Sequence, residues 1–223
     1  MDEVTAHVVF EVFGIPITDT VTSTWMIMVI IVFGTWYLGK KAPVALEMIV
    51  DFLNDSLSQT MGMNAMPYLP FLGTLAIFIA AANLFSLIPG ISNPARDLNT
   101  PIALALTVFF SVYYFGIRKK GVKKFLRELS DPIFLLPFEF LSQITRTLSL
   151  TLRLFGNMIS IELIVAILLS LFPLIAPSIM AVYGAATGLI QAYIFTVLSS
   201  TYIASGVSVI APDEEEAADL ASA

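Results

Sequence analysis

The sequence predicts an all-α integral membrane protein with about five embedded helical segments, and three observations carry that expectation. The 223-residue chain is 57% hydrophobic and only 13% charged, with a mean hydropathy of +0.88, whereas a soluble domain carries about twice that charged fraction. Its apolar runs are continuous, where a barrel needs alternation in segments of about ten residues. One stretch, Leu148–Phe172, runs 25 residues with two charges, Arg153 and Glu162. The absence of cysteine excludes disulfides and thiolate chemistry, and the single histidine, His7, excludes a multi-histidine metal site. Neither a cofactor nor a nucleic-acid partner is expected.

Taken in order, residues 1–20 read as an extracytoplasmic N-terminus with no cleavable leader pattern. Span one is 21–39, closed by Lys40 and Lys41. Residues 43–64 carry Glu47, Asp51, Asp55 and Ser58 at three-to-four-residue spacing with apolar residues between. That pattern predicts an amphipathic helix on the cytoplasmic surface or packed against a neighbour. Span two is 68–89, ended by Pro89-Gly90, and span three is 101–117, followed by the basic loop 118–131. Span four, 132–172, and span five, 175–210, are separated by Pro173 and Pro177, and an acidic tail occupies 211–223. Forty helical residues measure about 60 Å, against about 30 Å of hydrocarbon. Spans four and five are therefore expected as a long tilted hairpin.

Charge sets the expected orientation. Eight of the eleven Lys/Arg residues follow span one or span three, and Arg96 alone lies in a loop of the other side. The positive-inside rule then places the N-terminus outside and the C-terminus in the cytoplasm. The lysines of the basic loop read as topology determinants and lipid headgroup contacts.

Span four holds the chemistry. Glu139, Ser142, Arg146, Ser149, Arg153, Asn157 and Ser160 recur at three or four residues and form one polar stripe on an apolar helix. A lipid-facing helix does not tolerate this, so the stripe must face protein or water. A central arginine costs roughly 2.5–3.5 kcal/mol on insertion scales, and arginine cannot escape by losing its proton. Arg153, the deepest, is the leading functional candidate. Arg146 either belongs to the same path or snorkels to the cytoplasmic interface. Ser142 and Ser149 fit helix–helix hydrogen bonding. Glu162, nine residues after Arg153, points about 180° away and must answer to another helix, with span five the nearest candidate. There Gln191 is a lone amide beside the small-residue face Ala181, Gly184, Gly188 and Ala192, which favours close helix approach. Asn83 and Ser86 either extend a polar path to the outside or cap span two.

These residues resemble a known family. Leu152–Leu163, LRLFGNMISIEL, looks like the signature of the a subunit of F-type ATP synthases, the membrane stator facing the ring of c subunits. The likeness extends to ITDTVTSTW, NLFSLIPG, PFEFLSQITRTLSLTLRLFGNM and QAYIFTVLSSTYI, which together run through nearly the whole chain. The resemblance implies that Arg153 faces the ion-binding carboxylate of each passing c subunit. It implies that Asn157, Glu162 and Gln191 surround an inlet half-channel from outside, and that Glu139, Ser142 and Thr145 line a half-channel to the cytoplasm. Arg146 and Ser149 match a basic and a polar family position. Many members carry a titratable residue where this chain has Gly184, and an acid where it has Ser86. The implied cargo is H⁺ or Na⁺, and the implied partners are the c-ring, b-type peripheral stalk subunits, the remaining subunits and membrane lipid. The implied location is the prokaryotic cytoplasmic (inner) membrane. No G-x-x-x-x-G-K-[ST] loop is present, so the chain is expected to be a non-catalytic, ion-translocating subunit. Two rival readings are an autonomous transporter, which predicts internal repeats that are not evident, and a structural anchor, which predicts that Arg153 is replaceable.

Overall fold

The computed structural model describes residues 8–12, 15–85, 93–123, 136–172 and 176–208. Two short antiparallel strands, β1 (Val8–Val12) and β2 (Ile15–Thr18), precede the helices. The all-α expectation missed this hairpin, which lies in the segment read only as an extracytoplasmic N-terminus. Among the described residues six α-helices follow: α1 (Asp19–Lys41), α2 (Pro43–Met61), α3 (Leu69–Phe85), α4 (Asn99–Lys120), α5 (Leu136–Leu171) and α6 (Ala176–Ser208). A 3-10 turn, Pro94–Arg96, lies between α3 and α4.

Among the described residues four helices are long and apolar enough to cross a membrane: α1, α4, α5 and α6. The segment expected as span two, α3, is apolar but has only 17 residues. At about 1.5 Å per residue it reaches about 25 Å, slightly short of a hydrocarbon core. The 36 residues of α5 and 33 of α6 make helices of about 54 and 50 Å.

The helix ends follow from local chemistry. Asp19 in the first turn of α1 and Lys40 and Lys41 in its last complement the helix dipole. Lys40 lies 4.0 Å from the Trp36 ring centroid, and Lys41 lies 5.2 Å from that of Tyr37. Helix α2 begins with Pro43 at its first position and ends at Gly62, whose φ of 64° is left-handed. A side chain there would be strained, which is why a glycine closes the helix.

The shortest apolar helix is the most central. Helix α3 packs most extensively against α6, and two apolar clusters meet along it. One joins Leu53, Leu57 and Met61 of α2 to Leu72 and Ala76 of α3 and to Ile203 and Val207 of α6. The other joins Ile79 of α3, Val108 of α4, Leu150, Leu154 and Met158 of α5, and Phe195 of α6. Helix α1 is peripheral, with Trp25, Val32, Phe33 and Trp36 all exposed. An exposed apolar face is the normal state of a lipid-facing helix, because packing rather than hydrophobicity drives association in lipid. Glycine sets the closest approaches. A Cβ at Gly188 would lie 2.5 Å from Asn83 Cβ, and one at Gly206 would lie 2.6 Å from Val112 Cγ1.

Candidate functional site

Helix α5 organises the site because its sides meet different neighbours. Gln143, Leu150, Thr151, Leu154 and Met158 are buried. To one side of this line lies α6, and to the other lie α4 and the 3-10 turn. The polar stripe runs along the α6 edge, about 100° round from the buried line.

At the end of the stripe nearest the helix start, Ser142, Thr145, Arg146 and Ser149 line an open groove of about 460 Å³ with Phe138, Leu141 and Tyr202. Arg146 is held there by α6: its Nη1 donates to Ser205 Oγ at 3.0 Å, and its guanidinium lies 5.3 Å from the Tyr202 ring centroid. Thr145 Oγ1 donates to its own helix at Leu141 O, 2.8 Å away. Glu139 lies in the first turn of α5, and its side chain is outside the described residues.

Arg153, two turns further on, is exposed. It has no hydrogen bond and no ion pair among the described residues. Leu152, next to it in the chain, is also exposed. Asn157, one turn beyond, is half-buried, and its Nδ2 is buried without a hydrogen-bond partner. Gln191 on α6 is buried, and its Nε2 is likewise unpartnered. The Arg146–Ser205 contact registers the hairpin and brings Gln191 to within about a turn of Asn157 along the axis. A buried donor without a partner costs about 1–3 kcal/mol. Both unpartnered donors belong to the two longest apolar helices, α5 and α6. Ser160 Oγ donates to Gly156 O at 2.7 Å.

Glu162 lies on the opposite side, and its partner is not on α6. Its Oε2 is 3.5 Å from Nε of Arg96, in the 3-10 turn. The expectation that span five answers Glu162 is therefore corrected. Nine residues beyond Arg153 turn Glu162 towards α4 and the 3-10 turn, away from the α6 edge.

Asn83 is buried and spans three elements. Its Nδ2 donates to Gly188 O at 3.2 Å, and its Oδ1 accepts from Asn93 Nδ2 at 3.2 Å. Asn93 in turn contacts Met158 Sδ at 3.2 Å and accepts from Ala95 N at 2.8 Å. Asn83 is thus a clasp between α3, α6 and the 3-10 turn. Ser86 lies outside the described residues. Sequence reasoning passed over Asn93, Ser205 and the site role of Arg96. Only Arg96 left a signal, as the one cation outside α5 and the basic clusters that follow spans one and three. No cluster of three metal-ligating side chains occurs among the described residues.

Fold and site together define an integral membrane helical protein with polar and charged groups set into its longest apolar helix. Comparison with known proteins gives the family. The description "ATP synthase A chain" matches residues 20–204. An ATP synthase subunit a 1 of Crocosphaera subtropica is 40% identical over 205 residues, covering 87% of this chain and 89% of that protein. An ATP synthase subunit a 2 of Acaryochloris marina is 42% identical over 200 residues, covering 85% and 86%. One from Pelobacter propionicus is 39% identical over 224 residues, covering 95% and 98%. The chain belongs to the family of F-type ATP synthase a subunits.

Proposed function

We propose that this chain is the stator subunit of the membrane sector of an F-type ATP synthase and carries H⁺ or Na⁺ through two offset half-channels. The observation that carries the reading is Arg153: a permanent cation, exposed in a 25-residue apolar run, with no counter-ion among the described residues. A passing rotor carboxylate supplies that counter-ion.

An ion enters from outside past Asn157, Glu162 and Gln191 and neutralises a carboxylate of the c-ring. The neutral site then crosses lipid without the large desolvation cost of a bare charge. It releases the ion near Glu139, Ser142, Thr145 and Ser149, where Arg146 and Ser149 border the groove. Arg153 favours the ionised carboxylate as it passes, and its fixed charge repels a cation leaking between the half-channels. The membrane potential contributes about 2.3 kcal/mol per charge per 100 mV. Helix α3 serves as the fifth embedded segment. The N-terminus lies outside and the C-terminus in the cytoplasm, in the prokaryotic cytoplasmic membrane. The c-ring, the b-type stalk and the other subunits are the partners, and nucleotide chemistry belongs to them.

ATP-driven ion uptake by vesicles carrying the complex, with and without Na⁺, tests this. Wild type takes up ions, Arg153→Ala assembles and does not, and Na⁺ dependence names the ion. Normal coupled uptake by the variant overturns the reading.

A further inference from the structure

The proposed path leaves Arg96 without a role, although Arg96 is the group nearest the one acid in the apolar run. Its position is built rather than incidental. The 3-10 turn carrying it is capped by Asn93, whose side chain accepts from Ala95 N, and Arg96 N donates to Asn93 O at 3.0 Å. Asn93 is itself clamped by Asn83 and Met158. The adjacent acid is turned away: the Asp97 carboxylate accepts from Asn99 N and Nδ2, at 3.2 and 2.9 Å, and from Thr20 Oγ1 at 3.4 Å. Arg96 reaches Glu162 instead, across 66 residues of sequence, with side chains 23% and 32% exposed.

Among the described residues no other charged group is paired with Glu162. Helices α3 and α6 contain no Asp, Glu, Lys, Arg or His, and the cations of α4 are all in its last turn. That turn lies about 28 Å along the helix from its start. The contact is also loose: Arg96 Nε is buried but makes no well-formed hydrogen bond, and Glu162 Oε2 stands 3.5 Å off. A pair at this distance balances charge without locking the carboxylate.

We propose that Arg96 is a positioning residue of the inlet half-channel: a fixed countercharge that keeps Glu162 from holding the transported cation too tightly. A guanidinium does not lose its proton near neutral pH. Glu162 is therefore balanced by a charge that stays in place whether or not an ion is present, and an incoming cation meets a carboxylate already weakened as a binding site. The inference rests on the stator reading above.

The test is ATP synthesis by proteoliposomes carrying the whole complex under an imposed gradient, with source-side pH varied at fixed Na⁺ and then Na⁺ at fixed pH. In Arg96→Ala the half-saturating concentration of the transported ion falls about tenfold or more, and the maximal rate falls with it because release slows. Arg96→Lys keeps the charge and stays within about threefold of wild type. In Glu162→Gln the added Arg96→Ala change produces no further shift, since no carboxylate is left to rebalance. An unchanged half-saturation in Arg96→Ala overturns the proposal, and so do effects that simply multiply in the double variant. Loss of assembly in both Arg96→Ala and Arg96→Lys overturns it too, making the residue a brace. Arg153→Ala in the same vesicles keeps the two claims apart: coupled synthesis there fails the stator reading, whatever Arg96 does.

Discussion

Helix α5 carries two charges through its apolar run, and the fold treats them oppositely. Glu162 faces the 3-10 turn and finds Arg96 at 3.5 Å, so that flank is close to neutral within the chain. Arg153 faces the other way, is exposed and has no ion pair among the described residues. In lipid neither charge is tolerable alone. On the proposed stator reading, the first flank is balanced within this chain and the second is balanced by the rotor. The nine-residue spacing between the two charges, half a turn out of phase, is what keeps them from neutralising each other.

If Glu162 is an ion-path group, Glu162→Gln slows gradient-driven synthesis by about tenfold in an assembled complex, an effect of roughly 1.4 kcal/mol on the barrier. An unchanged rate would make its flank purely structural. Packing changes should behave differently. Gly188→Val drives a side chain into Asn83 and lowers the thermal stability of the complex by an overpacking cost of about 1–3 kcal/mol. Asn83→Ala strips partners from the Gly188 carbonyl and from Asn93, with a comparable or smaller loss of about 1–2 kcal/mol and no shift in ion half-saturation. A shift there would move Asn83 from clasp to path. The smallest effect belongs to Ser205→Ala, which removes one hydrogen bond from Arg146 for about 0.5–1.5 kcal/mol and leaves the Tyr202 stacking in place.

The helical elements were legible because lipid imposes long apolar runs and charge or proline ends them. Helix α5, Leu136–Leu171, falls inside the expected 132–172, and α6, Ala176–Ser208, inside 175–210. The β1–β2 hairpin was not, since a few extended residues before the first span carry no comparable signal. On the site, helical periodicity alone placed Arg153 and Glu162 on opposite sides. It could not name the partner of Glu162, because a contact across 66 residues depends on how the 3-10 turn folds back. Nor could it show that Asn83 hydrogen-bonds Gly188 O and Asn93, since those contacts depend on how α3, α6 and the 3-10 turn pack.

The central claim is that the Arg153 flank meets a rotor carboxylate, and the chain has no cysteine to interfere with cross-linking. Single cysteines at Ser149 and Ser160 lie on the Arg153 line, and single cysteines at Ile144 and Ala166 lie on the Glu162 line; all four positions are exposed. Each would be paired with a c-subunit cysteine placed at matching depth on the carboxylate-bearing helix, and disulfide formation measured in the intact complex. The account predicts cross-links from Ser149 and Ser160 and none from Ile144 and Ala166. Cross-links from the Glu162 line alone would contradict it.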